Sequence, residues 1–566
     1  MDLKMIKNEL SKSKSRYLQQ HKNNPVAWQI WSDETLKLAK EVNKPLFISI
    51  GYSSCHWCHV MAHESFEDEE TANFLNNHFI PIKIDKEEYP EIDKKYQFYI
   101  QLIKQQGGWP LSVFATPEGD PFYAGTYFPK EEKYGLPSFM NILSQINKIY
   151  TENYNQIEES VSKYKDAIAQ FYKIDKIDIR NLDLNSFTKN ISDLLDFENG
   201  GLKGRNKFPN IPYLNFLLDY HFDEFADFLI KTARKIAFSG LYDHINGGFF
   251  RYCVDENWSY PHFEKMLYDN ALNTIFLIKL YDKVKDPLFY HISRKTIDFI
   301  LETFNTEYGL ISSMDADSLD ESNQMVEGYF YHLDENLLNI IPQDLKKYIV
   351  SKNGFIYLND KTDYETYKKL EIYFDKISLQ NQKIEPEKDN KVICSWNMLF
   401  VNALLTYAEV TGEEYYFNHA INLFNKIKTF LLSKEHIYRI NYGDEIFKHE
   451  TLEDYSYSIN ALLKLYEMTK EKDFLYYADA ITKKALEKFT DDNYIYLDKN
   501  KSILDTFDDA MYSPVGLMGI NLLILSKYTS INQNSKIYSF LIDRAVKFPT
   551  GHPTILTFIR RLVDDN

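Results

Sequence analysis

Cysteine is scarce. Four in 566 residues make no disulfide framework of the kind that holds small secreted domains together. Glycine and proline are scarce too, 20 and 18, which argues against a turn-dense all-β chain and against low-complexity disorder. No stretch of 18 apolar residues exists, so no helix is expected to span a membrane. Positive charge is in deficit: 65 Lys and Arg against 82 Asp and Glu give a net charge of -17. A surface that tracks phosphates needs the opposite excess, so general binding to nucleic acid is not expected. Met1 to Arg16 is basic (Lys4, Lys7, Lys12, Lys14, Arg16) but has no apolar run behind it, and reads poorly as a signal peptide. Aromatic residues, in contrast, make up 16% of the chain, far too many for a disordered protein. The expectation is a cytoplasmic, soluble protein of two to four domains with one redox or metal motif.

The first third of the chain mixes strand and helix signals. Pro45 to Ile50 and Phe79 to Asp85 are short apolar runs suited to buried strands, and Leu111 to Ala115 is a third. Cys55 to Phe66 and Ile92 to Lys104 have helical patterns, and Asp120 to Phe128 can pair with the third strand as a hairpin. The order β-α-β-α-β-β, with a dithiol after the first strand, predicts an α/β thioredoxin-like domain over residues 1–172.

The dithiol is Cys55-His56-Trp57-Cys58. A thiolate is the attacking nucleophile, and the start of a helix favours negative charge there. Cys55 is the expected attacking thiol and Cys58, one turn on, the resolving one; a protonated His56 would lower the thiol pKa further. Pro110, in Gly107-Gly108-Trp109-Pro110, is the candidate for a cis-proline beside the dithiol. Zinc is the competing reading, since Cys55, Cys58, His59 and His63 form an adequate donor set. On a regular helix, however, His59 points away from Cys55, and no second CxxC exists. No metal and no cofactor are therefore expected, and Cys253 and Cys394 read as inert buried thiols.

From about residue 180 strand signals fade and amphipathic helices dominate. A tyrosine that ends one helix before a short polar loop and a second helix recurs at Tyr220, Tyr281, Tyr407, Tyr466 and Tyr528. The spacing is about sixty residues, with one interval about twice that, so a degenerate hairpin is expected near residues 335–350. Six hairpins predict an all-α (α/α)6 toroid over residues 180–566.

In a toroid the inner helices run parallel, so residues at their starts converge on one rim. The candidates there are Arg251, Tyr252, Trp258, His262, Glu264 and Asp269, then Asp315, Asp317 and Glu327, then Trp396, Asn397, Asp454 and Tyr455, with Asp508 and Asp509 beyond. Carboxylates with His, Trp and Tyr are what a sugar site needs: acids and bases for proton transfer, and rings for the apolar faces of the sugar. Asp, Asn and Ser at helix starts also serve as N-caps, and each acid taken alone fits that reading as well.

These segments resemble the spermatogenesis-associated protein 20-like thioredoxin-domain proteins. The resemblance lies in Tyr17 to Trp28, in Ser49 to Met61 with Glu64-Ser65-Phe66, in Gly107 to Pro110, in Gly125 to Pro129, in Arg251 to Asn270 and in Asp315 to Ser318. It implies a thioredoxin-like domain fused to a toroid similar to six-hairpin glycosidases and N-acylglucosamine 2-epimerases, and no settled reaction. Three functions remain open: a thiol–disulfide oxidoreductase acting on a protein disulfide or small thiol, a carbohydrate epimerase, isomerase or hydrolase, and a redox-sensing binding protein. Carbohydrate is the expected ligand class for the toroid, and neither nucleic acid nor membrane is an expected partner.

Overall fold

A computed structural model describes residues 6–564, apart from 104, 105, 134, 176, 178–181 and 532–534. The chain divides into two compact units, Met1–Ile174 and Asp175–Asn566. The expected boundary between domains falls partly on residues outside those described, as does Lys104.

The first unit is built on a five-stranded sheet of β1 (Gln29–Ile30), β2 (Leu46–Gly51), β3 (Ile80–Asp85), β4 (Leu111–Ala115) and β5 (Pro121–Gly125), in the order β1-β3-β2-β4-β5. β3 runs parallel to β1 and β2, while β4 is antiparallel to β2 and to β5. All six residues of β2 and all six of β3 are buried, because helices cover the central strands and leave no solvent face to alternate with. The thioredoxin-like fold expected from the strand order is present. The sequence reading lacked β1, which is too short to carry a periodic signal.

The second unit is a closed ring of helices: α1 (Leu184–Ser192), α2 (Ile211–Tyr220), α3 (Phe222–Phe238), α4 (Leu267–Val284), α5 (Pro287–Thr303), α6 (Cys394–Thr411), α7 (Glu414–Phe430), α8 (Leu452–Thr469), α9 (Lys472–Phe489), α10 (Pro514–Ser526), α11 (Ser535–Lys547) and α12 (Pro553–Asp564). Even-numbered helices form the inside, each packing on the next, and α12 returns to α2. Five of the odd-numbered helices, α3, α5, α7, α9 and α11, follow an inner helix and pack against it, as α5 does on α4. Inner helices such as α6 and α10 are buried nearly all round, whereas α3 buries one stripe through Phe225, Phe228, Leu229, Thr232 and Ile236.

The repeated tyrosines lie at the inner-to-outer turns. Tyr281 meets Tyr290, Tyr407 meets Tyr416, and Tyr466 meets Tyr528 just past the end of the next inner helix. The hairpin expected near 335–350 is not part of the ring. That region belongs to an insertion between α5 and α6, with two one-turn helices, a strand pair Ile349–Lys352 and Phe355–Leu358, and a helix Tyr364–Gln380. The sixth pair is made by the two ends of the unit: α12 is the last inner helix, and α1 lies against the turn that leads into it. α12 carries Arg560 and Arg561 where the other repeats place tyrosine. Among the described residues no helix is long and apolar enough to cross a membrane.

Candidate functional site

β2 delivers the dithiol. The chain leaves Gly51, turns through Tyr52 to Ser54, and opens the helix His56–Met61 with Cys55 as its N-cap. Cys55 Sγ accepts the amide N–H of Cys58 at 3.2 Å, as the free donors of a helix start require. Cys55 and Cys58 are paired in a disulfide. Both are buried, while Trp57 between them is 40% exposed. The helix widens into a π turn over Ala62–Phe66. The Trp109–Pro110 peptide is cis, and the next residue, Leu111, pairs with Ile50 on β2, so Pro110 belongs to the same end of the sheet as the dithiol.

Aromatic groups frame this end. Trp57 lies 5.1 Å from Tyr127, whose hydroxyl donates to Glu64 Oε2 at 2.5 Å; Lys133 binds the other oxygen of Glu64 at 2.6 Å. Tyr52 lies 5.8 Å from Trp109, and the Lys86 ammonium sits over both rings. The donor set of the zinc reading is engaged elsewhere. The two sulfurs bond each other, His59 Nε2 lies 2.8 Å from the Ser53 carbonyl, and His63 Nδ1 lies 3.0 Å from Glu67 on the surface. His56 begins the helix with its ring 5.9 Å from that of Trp57.

Beneath the dithiol lies a buried layer that residue patterns did not single out as chemical. A Cβ on Gly51 would stand 2.7 Å from Cys58 Sγ and 2.8 Å from Tyr17 Cζ, so sulfur and phenol share the space that a side chain at 51 would fill. The Tyr17 hydroxyl is buried and makes no hydrogen bond that meets normal geometry among the described residues. Burial, and then the charge of Asp85, raise its pKa far above the ordinary phenol value. Lys83, 1% exposed, reaches Ser49 Oγ at 3.1 Å and lies over the rings of Phe66, Trp28 and Tyr17 at 4.4, 4.9 and 5.1 Å. Burial drives its amine well below the usual lysine range. The segment Tyr17 to Trp28 supplies this layer, with His21 and Trp28 both bound to Asn24 Oδ1. The available signal was a lysine at the centre of the apolar run Phe79 to Asp85.

In the toroid, four of the predicted residues touch directly. Arg251 Nη1 donates to Glu264 Oε1 at 3.1 Å, His262 Nδ1 lies 3.6 Å from the same oxygen, and Tyr252 stacks on His262 at 5.1 Å. The far side of the imidazole, Nε2, lies 3.5 Å from Glu327 Oε1. Asp317 pairs in register with Glu327 across a two-stranded ribbon, and Asp315 accepts the amide of Asp317 at 3.1 Å. Tyr268 feels the charges of Arg251, Asp269 and Glu264, and packs edge-on against Trp396 at 4.7 Å. These groups stand at the starts of α4 and α6 and in the loops before them.

The remaining predicted residues are held in other structures. Trp258 is fully buried with its ring against Gly201 and its Nε1 donating to Asn199 O at 3.1 Å. Asn397 spends its amide on backbone: Oδ1 accepts from Leu310 N, and Nδ2 donates to Leu310 O and Ile393 O. Tyr455 donates to Glu450 at 2.7 Å and accepts from Ile437 N. Asp454 accepts the hydroxyl of Thr451, the N-cap of α8, at 2.7 Å, accepts Ser395 N and binds Arg439 at 3.0 Å, with both charged groups buried. A cavity of about 620 Å³ runs between the inner helices, lined from their first turns (Pro212, Leu517, Thr554) to their last (Lys283, Val410, Glu467), and none of the predicted rim residues lines it.

The family model Thioredox_DsbH, described as "Protein of unknown function, DUF255", matches residues 7–169. An uncharacterized protein of Caenorhabditis elegans, B0495.5, is 30% identical over 98% of this chain and 86% of its own length. Spermatogenesis-associated protein 20 of Rattus norvegicus is 30% identical over 83% of this chain and 68% of its own length. The Homo sapiens protein of that name is 29% identical, covering 84% and 69%. Among solved structures, a D-mannose isomerase aligns with 68% of this chain and 96% of its own at 10% identity and a TM-score of 0.44. A family 76 glycoside hydrolase from a Bacteroides thetaiotaomicron strain aligns with 69% and 80% at 9% identity and a TM-score of 0.43. The sequence relatives carry more: the chain belongs to the spermatogenesis-associated protein 20 family.

Proposed function

We propose that the thioredoxin-like unit exchanges disulfides with a protein disulfide or small thiol substrate. The observation that carries this reading is Cys55 capping a helix at the end of β2, with Cys58 one turn away and already bonded to it. In the reduced protein, the Cys55 thiolate attacks one sulfur of a substrate disulfide. A mixed disulfide forms and the other substrate sulfur leaves as a thiolate. Cys58, having lost its proton, then attacks Cys55 Sγ; the Cys55–Cys58 bond forms and the second substrate thiolate leaves. Substrate gains two electrons and the dithiol loses two. The test uses reduced protein and oxidised glutathione, followed by mass spectrometry. Cys58→Ser should accumulate a glutathione adduct on Cys55, and Cys55→Ser should form none at that site. Absence of any adduct on the Cys58→Ser protein would sink the reading.

A second reading has its own observation, the imidazole of His262 set between Glu264 and Glu327. A His with a carboxylate beside each ring nitrogen suits acid–base work on a sugar, as an epimerase, isomerase or hydrolase would need. On this reading His262→Ala and Glu264→Ala abolish turnover of a monosaccharide or N-acetylated sugar without unfolding the chain. Turnover that survives both substitutions would eliminate it.

A further inference from the structure

Polar side chains on the inner helices include a band of asparagines that runs from helix to helix. Asn402 on α6 donates to Asn460 on α8 at 2.9 Å, and Asn460 donates to Asn521 on α10 at 3.0 Å. Asn521 in turn donates to the Ser456 carbonyl at 2.8 Å. Across the ring, Asn215 on α2 is 5% exposed and donates to Tyr512 Oη at 2.5 Å, while its own Oδ1 has no hydrogen-bond partner among the described residues. Asn215, Asn402 and Asn460 line the cavity of about 620 Å³, together with residues from all six inner helices.

The hydrogen-bonded chain ties α6, α8 and α10 together, but that structural role does not account for Asn215 Oδ1. A buried carbonyl oxygen without a donor is costly, and an apolar residue of similar volume would avoid the cost. Each amide nitrogen in the chain of asparagines uses one of its two protons on its neighbour, which leaves donors to offer to the cavity. The volume is that of a pocket for a small molecule rather than for a single water.

The charges around the cavity narrow the class of ligand. Two ion pairs close on themselves, Asp219 with Lys279 and Glu409 with Lys464, each at 2.5 Å. The other acids of the lining, Asp282 and Glu467, are matched in number by Lys283 and Arg561. The inner helices also point their C-terminal ends at this mouth, and helix C-termini repel anions. What is left is hydrogen bonding by neutral amides beside the rings of Phe216 and Tyr457, which line the same space. Amides pair with hydroxyl groups as donor and acceptor at once.

We infer that the shaft of the toroid binds a small neutral polyhydroxy compound, a polyol or free sugar, which enters at the end where the inner helices finish. This site is separate from the dithiol and from the His262 rim, and rests on neither reading above. The test is saturation-transfer NMR and calorimetry on the full chain with sorbitol, D-glucose, D-mannose and maltose, and with inorganic phosphate as the charged control. At least one neutral probe should bind at millimolar concentration and phosphate should not. The double variant Asn402→Leu/Asn460→Leu should weaken that binding at least about tenfold. Asn215→Leu, which removes the unpaired acceptor, gives an independent reading should the double variant misfold. Failure of all four neutral probes, tighter binding of phosphate, or affinity unchanged in the correctly folded variants would each overturn the inference. Binding that is lost in His262→Ala but kept in the asparagine variants would place the ligand at the rim and overturn it too.

Discussion

At residue 51 a hydrogen atom is all the packing allows. A methyl group there would press on Cys58 Sγ and on the Tyr17 ring at once, so Gly51→Ala is expected to destabilise the protein by about 1–3 kcal/mol, read as a lower urea midpoint for the oxidised form. An unchanged midpoint would mean that the phenol yields freely. Tyr17→Phe keeps the ring and removes the hydroxyl beside the resolving sulfur; it should slow the breakdown of the Cys55 mixed disulfide with little change in stability, as stopped-flow mixing with glutathione would show. Histidines set a pH dependence of their own. His552 has Nδ1 2.7 Å from the Phe548 carbonyl, which can only accept, so Nδ1 carries the proton and Nε2 takes the Thr506 hydroxyl at 2.7 Å. Burial pushes the pKa of His552 from 6.5 down to about 4, and that of His244 likewise. Between those values the unfolded chain binds protons that the folded chain refuses. Stability from these groups is therefore full above pH 6.5 and falls as the pH drops toward 4, by up to about 3 kcal/mol for each histidine. Urea midpoints at pH 7 and pH 5 check this, and His552→Gln should flatten the slope. The dithiol itself was legible because two cysteines three apart after an apolar run have few other uses. Lys83 was not, because a strand buried on both faces has no alternation to reveal which side a lysine takes; nor was Tyr17, which sits on the five-residue helix Arg16–Gln20, too short to carry a periodic signal.

Among the elements, the starts of successive inner helices repeat one device. In α4, Asn270 binds both N and O of Phe249; in α6, Asn397 binds both N and O of Leu310; in α8, Tyr455 accepts from Ile437 N. Each side chain thus ties the turn after an outer helix to the first turns of the next inner helix. Removing it strands a buried amide, so Asn397→Ala should cost about 1–3 kcal/mol, measured by thermal unfolding, without touching dithiol exchange. Asp454→Ala should cost more, about 3–5 kcal/mol, because it leaves the buried Arg439 charge without one of its carboxylates. Sequence reasoning grouped Asn397, Asp454 and Tyr455 with His262 because all stand at helix starts. Position along a helix fixes height in the ring, but not whether a polar side chain turns toward the mouth or back to the preceding turn. His262, Glu264 and Arg251 differ in lying on the loop and short strands before α4, where no helix start needs capping.

For the molecule as a whole, the tyrosine repeat identified five inner helices and thereby the ring, while α12, with arginines in the equivalent place, escaped notice. The doubled interval drew the missing hairpin into the insertion between α5 and α6, because spacing alone cannot distinguish a lost repeat from added chain. α12 packs on both α10 and α2, so deleting it should uncover the apolar flanks of both; the truncated chain is expected to lose its cooperative thermal transition by circular dichroism and to bind hydrophobic dyes. The same closure has a consequence in time. The sheet of the first unit joins strands close together in the chain, whereas the ring joins a helix ending at Tyr220 to one starting at Pro553. Translation at roughly 5–20 residues per second takes on the order of twenty seconds to a minute to cover that stretch. Until then the five earlier inner helices are made one after another and the ring stays open. The nascent chain must carry a growing apolar arc until α12 is made, a demand for chaperone protection that falls on the second unit and spares the first.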